Sequence, residues 1–136
     1  MPPACRARYP PAMRAGETLR KRYRLESVLG RGASGTTWLA ADGRGGGRAV
    51  VKAISLAGLR EWRDLESVER EARVLASIDH PRVPRLVEYF STEEAGNPCF
   101  VLVQQHIPGT TIEQKVAAGW RGTEEEVVRI AVGLLR

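Results

Sequence analysis

The alternation of apolar and polar positions starts at Tyr23, where Tyr23, Leu25, Ser27 and Leu29 interleave with Arg24, Glu26 and Val28 and predict a strand that ends at Gly30. Beyond the glycine cluster, TTWLA is β-branched and aromatic, which predicts a second strand over residues 36–41. The glycine-rich DGRGGG then supplies a turn. RAVVKAI follows as a third strand, apolar in its centre except for Lys52. Together the three predict an antiparallel meander.

From Trp62 to Ile78 the period lengthens. Leu65, Val68, Ala72, Leu75 and Ile78 recur at steps of three or four, the spacing of a helix with one apolar stripe. The helix stops at DHPRVP, because Pro81 and Pro84 cannot lie inside it. RLVEYF and CFVLVQ predict two further strands around the loop STEEAGNP, and IPGT is a break. A short helix is expected over 111–118 and a better one from Thr123. There Thr123 and Glu126 form a capping box, and Glu124 and Glu125 suit the positive end of the helix. That helix reaches the last residue without a stop signal. The expected fold is α+β: a five-stranded antiparallel sheet with one packed helix, then a break and two C-terminal helices. No internal repeat is visible.

Composition narrows the function classes. With 136 residues and 43% hydrophobic content, the chain suits one globular domain. Lys52, Glu88 and Gln104 interrupt the best candidates for the roughly 18 apolar residues of a membrane span. MPPACRARYPP lacks the apolar segment of a secretory signal, so a cytoplasmic location is expected. Cys5 and Cys99 are too few for a disulfide framework and are not spaced as metal ligands. The net charge of +5 suggests nucleic acid until it is located. Residues 1–22 hold six of the 21 basic side chains and only one of the 16 acidic ones, so the excess lies wholly in a Pro-rich tail expected to be disordered. The rest is neutral, without the basic face that nucleic-acid binding needs.

Three constellations could carry chemistry. Gly30, Gly32 and Gly35, in GRGASG, lie between two strands. A dinucleotide-binding turn would lead into a helix instead. Strand, glycine loop, strand lets backbone N–H groups approach phosphate oxygens, although a ligand-free hairpin has the same pattern. Lys52 is a lone cation in an apolar strand; it either reaches solvent or meets an anion, because unpaired burial costs several kcal/mol. Glu71 follows Val68 by three residues and precedes Leu75 by four, on the flank of the apolar stripe, and is the favoured partner of Lys52, with Glu69 as the rival.

GRGASG in a hairpin, AVVK on the third strand, EREARVL on the helix and then DHPRVPRLVEYF together resemble the small lobe of a eukaryotic-like serine/threonine protein kinase, bacterial in type. The resemblance runs from about Tyr23 to the end. It implies a small lobe over 23–104, and over 105–136 a hinge and the first helices of an incomplete large lobe. It also implies an ATP site. Gly30, Gly32 and Gly35 would cover the phosphates, and Lys52, held by an ion pair to Glu71, would bind the α and β phosphates. Leu29 and Val50 would line the adenine pocket. VLVQQHIPG resembles the hinge, with Val103 as gatekeeper and the Gln104 carbonyl and His106 N–H as adenine partners. Two positions depart from the family pattern: Val50 replaces a usual alanine, and Thr37 a usual valine. His80 reads as a turn residue, and Trp38, Trp62 and Trp120 as packing residues.

The family's His-Arg-Asp and Asp-Phe-Gly motifs do not occur in these 136 residues. The chain by itself is therefore expected to be inactive, with Mg2+ expected only in a complete kinase. The alternative is a non-catalytic, pseudokinase-like module that binds nucleotide or a partner kinase; a third reading is a gene fragment without a function of its own. The apolar side of the last helix predicts self-association.

Overall fold

In a computed structural model, residues 13–32, 35–56, 62–94 and 97–135 are described. The fold is α+β, with element order β1 (Thr18–Leu19), β2 (Tyr23–Arg31), β3 (Gly35–Asp42), β4 (Arg48–Ser55), α1 (Trp62–Ser77), β5 (Leu86–Glu94), β6 (Asn97–Gln105), α2 (Ile112–Ala117) and α3 (Glu124–Leu134). The sheet order is β1-β2-β3-β4-β6-β5, and all five strand pairs are antiparallel.

The expected five strands are present, together with a sixth. It comes from the segment read as a disordered tail over 1–22. Residues 1–12 lie outside the described residues, but Thr18 pairs with Arg24, Leu19 pairs with Tyr23, and Met13 and Leu19 are buried. Two apolar side chains with no period between them leave little trace in the sequence; it is the ladder of β2 that orders them. The other difference concerns STEEAGNP, expected as a loop. Here β5 and β6 extend into it, pairing Thr92 with Cys99, Glu93 with Pro98 and Glu94 with Asn97.

Strand alternation divides the sheet into two faces. One carries Tyr23, Leu25, Trp38, Ala40, Ala49, Val51, Ala53, Phe90, Val101 and Val103, all buried in one core with Met13 and Leu19. The sheet curls around this core until its ends meet: the Arg20 guanidinium, in the β1–β2 turn, lies 4.2 Å from the centre of the Phe90 ring on β5 and 4.0 Å from Glu88. The turn adopts positive φ at Arg20 (50°) and Lys21 (55°), a conformation costly without glycine, and the cation–π contact offsets part of that cost. On the other face Phe100, Leu102 and Leu86 lie under Ala72 of α1, with Ile54, Leu65, Val68 and Leu75 around them.

The end of the β2–β3 hairpin opposite its glycines is tied by Arg22, whose Nε and Nη2 donate to Asp42 at 2.8 and 2.9 Å. Arg22 first, then the Arg44 N–H, hold the Asp42 carboxyl down at about 2 from an ordinary 3.8. Nearby, burial first and the Glu88 carboxylate second push the Tyr23 phenol up from 10 to about 12. A depressed carboxyl adds stability above about pH 4 that is lost as pH falls toward 2. A raised phenol adds stability below pH 10 that is lost as pH rises through 12. Urea midpoints are therefore expected to plateau between these limits and fall on both sides, with the acid limb reduced in Asp42→Asn.

Residues 107–136 form a second compact unit. Thr111 and Thr123 each cap their helix through a complete capping box, with Gln114 and Glu126 as the reciprocal partners. Neither α2 nor α3 buries a side chain, and Val127, Val128, Val132, Leu134 and Leu135 are exposed. No helix among the described residues is long and apolar enough to cross a membrane.

Candidate functional site

The β2–β3 hairpin brings two glycines to its tip for which the fold itself has no steric need. A Cβ on Gly30 would have nothing within 4 Å, and one on Gly32 would meet only the Gly35 carbonyl oxygen at 3.9 Å. Gly35 is different: its Cβ would fall 1.8 Å from the Ala53 carbonyl oxygen, so the close approach of β3 to β4 requires a glycine. The Gly32 N–H closes the hairpin by donating to the Gly35 carbonyl at 2.9 Å. Bare backbone at Gly30 and Gly32 thus leaves room for a ligand to approach.

Register places Lys52 beside this tip. In β3, Thr37 lies directly opposite Lys52 and is itself paired with Gly30; on the other flank Lys52 faces Leu102 of β6. Gly35, Thr37, Val50 and Lys52 therefore share the face on which α1 covers Leu102 and Phe100. Lys52 is exposed and Val50 half-buried. Leu29, 50% exposed, sits at the irregularity between the Val28 and Gly30 pairings. Of the sequence-derived set, Leu29, Gly30, Gly32, Gly35, Thr37, Val50 and Lys52 lie on the three neighbouring strands β2, β3 and β4, from the glycine tip along to the middle of β4.

Two members are placed differently. Among the described residues no ion pair joins Lys52 to Glu71. The helix turns Ala72 fully inward, with Val68 and Leu75 against the sheet, so Glu71 and Glu69 flank the buried stripe on opposite sides. Glu71 is exposed and Glu69 half-buried, contrary to the ordering expected from the apolar spacing. Val103 pairs with Val51, and its side chain is fully buried in the core on the face opposite Lys52. Period-2 alternation is the reason: Lys52 and Val51 point to opposite faces, and Val103 follows Val51. The β6 side chains on the Lys52 face include Phe100, Leu102 and Gln104 but not Val103, a point that depends on register and has no signal in the sequence of either strand alone.

Gln104 pairs with Val50 on one side and Leu86 on the other and is half-buried. The following residue is engaged: the Gln105 N–H donates to the Arg85 carbonyl at 2.8 Å, and its side-chain oxygen accepts from the Arg85 N–H at 3.4 Å. His106 is half-buried. His80 makes a turn, its Nδ1 accepting from the Arg82 N–H at 3.1 Å and its carbonyl from Val83 at 3.1 Å. Trp38 is a core residue; the Trp62 side chain lies outside the described residues. No group of three or more His, Cys, Asp or Glu among the described residues could hold a metal ion.

No family model matches the sequence. Curated proteins do. Over 116 residues, 85% of this chain and 34% of the relative, it is 30% identical to a probable serine/threonine-protein kinase MRK1 homolog of Encephalitozoon cuniculi. Over 125 residues it is 34% identical to serine/threonine-protein kinase C of Synechocystis, covering 86% of this chain and 22% of that one. Over 83 residues it is 32% identical to serine/threonine-protein kinase PknA of Mycobacterium tuberculosis, covering 61% and 19%. The chain thus spans between 19% and 34% of the length of these relatives.

Proposed function

We propose, for a chain that belongs to the bacterial-type serine/threonine protein kinases, that it forms their ATP-binding part and takes the nucleotide on the sheet face that carries Lys52. One observation carries this reading. Lys52 stands exposed one strand away from a hairpin tip whose Gly30 and Gly32 are bare without any packing reason. Phosphate oxygens bound at this tip would approach bare backbone at Gly30 and Gly32 and accept a charge-assisted hydrogen bond from the Lys52 ammonium. Thr37, directly across from Lys52, borders the same space, while Leu29 and Val50 offer apolar contact to the base. The Gln104 carbonyl and His106 N–H are the proposed backbone partners of adenine.

Since neither Glu71 nor Glu69 pairs with Lys52, we assign the counter-charge of Lys52 to the nucleotide itself rather than to α1. Phosphoryl transfer needs a base and metal ligands. These 136 residues contain neither motif that supplies them, so binding rather than transfer is the property proposed for this chain. Calorimetric titration of the purified chain with ATP is expected to show saturable binding. Lys52→Ala should weaken it by roughly 10- to 100-fold, the value of a hydrogen bond to a charged group, with an unchanged circular dichroism spectrum. Equal affinity in the two proteins would refute the assignment.

A further inference from the structure

We infer that the end of the sheet opposite the glycine tip is a docking surface for an anionic lipid bilayer, with Lys21, Arg24 and Arg44 as its contacts. The inference stands apart from the nucleotide reading and uses none of the residues of that site.

The first observation is the choice of residues in a tight turn. Arg20 and Lys21 are the two central positions of the β1–β2 hairpin, which the Arg22 N–H closes by donating to the Leu19 carbonyl at 2.9 Å, and both have positive φ. Asn-Gly or a similar pair suits such a turn, whereas a long side chain there is strained. Arg20 has a role within the fold, its contacts with the Phe90 ring and Glu88. Lys21 has none: it is exposed, and among the described residues no ion pair engages its ammonium. Strain kept at a residue that does nothing for the fold points to a use outside it.

The second observation is what surrounds this lysine. The Gly43 N–H donates to the Arg22 carbonyl at 2.8 Å, which brings the β3–β4 turn and Arg44 beside the β1–β2 turn. Arg24 stands one rung in from the turn, across Ala41 from Arg48. Of the cations at this end, Arg20 lies 4.0 Å from Glu88, Arg22 2.8 Å from Asp42 and Arg48 3.0 Å from Glu26. Lys21, Arg24 and Arg44 are exposed and have no acidic partner among the described residues. The charge balance of residues 23–136 as a whole thus conceals a local excess, and the preceding segment adds Arg6, Arg8 and Arg14 to it in sequence.

The third is shape. A small anion is held by a concave site that encloses it. These cations are carried by two neighbouring turns and the rung behind them, so a flat anionic surface meets them together. Each Lys or Arg at such a surface strengthens binding about fivefold, through an attraction that salt screens. Nine residues of β2 separate the two ends of the hairpin, so the glycine tip stands roughly 30 Å from the docked end, well beyond the screening distance of about 10 Å.

The test is co-sedimentation of the whole chain with phosphatidylcholine vesicles that contain or lack phosphatidylglycerol, with circular dichroism as a check on folding. Wild type is expected to bind the anionic vesicles alone and to be released by about 0.5 M salt. Replacing Lys21, Arg24 and Arg44 by Gln should weaken binding about a hundredfold. Replacing Arg70, Arg73 and Arg129 by Gln, which lowers the net charge equally, should change it by less than about threefold. Lys21→Gly should weaken vesicle binding about fivefold while raising the urea midpoint, because it relieves the turn. Equal losses in the two triple variants would overturn the inference, since net charge rather than this end of the sheet would then be at work. Wild-type protein that ignores anionic vesicles would overturn it too. So would tighter binding to poly-glutamate or to an RNA oligonucleotide than to the vesicles, lost in the same triple variant, which would give this end to a polyanionic macromolecule instead.

Discussion

Gly35→Ala is expected to cost the fold about 3 kcal/mol or more, a large part of its stability. The added methyl carbon would lie 1.8 Å from the Ala53 carbonyl oxygen, 2.8 Å from its carbon and 3.1 Å from the Ile54 Cα. All three are backbone atoms of the adjacent strand, so no side chain can swing aside. Overpacking of a yielding core costs about 1–3 kcal/mol; here the alternative is to part β3 from β4 and give up the pairings of Gly35 with Ile54 and Thr36 with Ala53. Against a total stability of about 5–15 kcal/mol this is a large loss. Urea denaturation followed by Trp fluorescence measures it directly. Gly30→Ala and Gly32→Ala, which add a methyl to open space, should shift the midpoint by less than about 1 kcal/mol and act on nucleotide affinity instead. A wild-type midpoint for Gly35→Ala would mean that β3 and β4 do not meet in the register described.

Phe100→Ala should destabilise by about 3–5 kcal/mol, the range for emptying a buried aromatic position. Phe100 is 1% exposed, pairs with Ile54 and Ser91, and forms with Leu86 and Leu102 the surface on which Ala72 of α1 rests; the Tyr89 ring lies 5.9 Å away. The loss has a second component. Of the strands, β5 is the one with which α1 makes its main contact, so the helix depends on this small patch to stay docked. Phe100→Ala is therefore expected to lower the helical circular dichroism signal before the sheet unfolds, whereas Val51→Ala, in the larger core, should lower both signals together. Coincident transitions in both variants would argue that α1 and the sheet form one cooperative unit.

Much of the architecture is legible in the sequence because its elements carry strong local signals. The stripe Leu65, Val68, Ala72, Leu75 gives α1 within a residue, the Pro81 and Pro84 breaks end it, and the pair Thr123 and Glu126 marks the start of α3. Strands β2, β3 and β4 fall where the alternation and the glycines put them. What local patterns cannot express is pairing across strands. Met13 and Leu19 are isolated apolar residues in a basic, Pro-rich stretch, and only the exposed ladder of β2 and the Phe90 ring beyond it turn them into core. The same limit applies at the site. Lys52 and Gly35 are adjacent because of the β3–β4 register, and whether Val103 or Gln104 joins them depends on a one-residue difference in how β6 meets β4. The choice between Glu69 and Glu71 hangs on helix rotation of a few tens of degrees, which the spacing of four apolar residues does not fix.

The opposed faces of β4 have a consequence for how this strand can change. Ala49, Val51 and Ala53 answer only to the volume of the enclosed core, while Val50 and Lys52 lie outside it. Two interleaved patterns thus share one strand of eight residues, and they can drift separately: a repacking at positions 49, 51 and 53 need not disturb the face that carries Val50 and Lys52, so the ligand preference proposed for that face can be retuned without renegotiating the architecture.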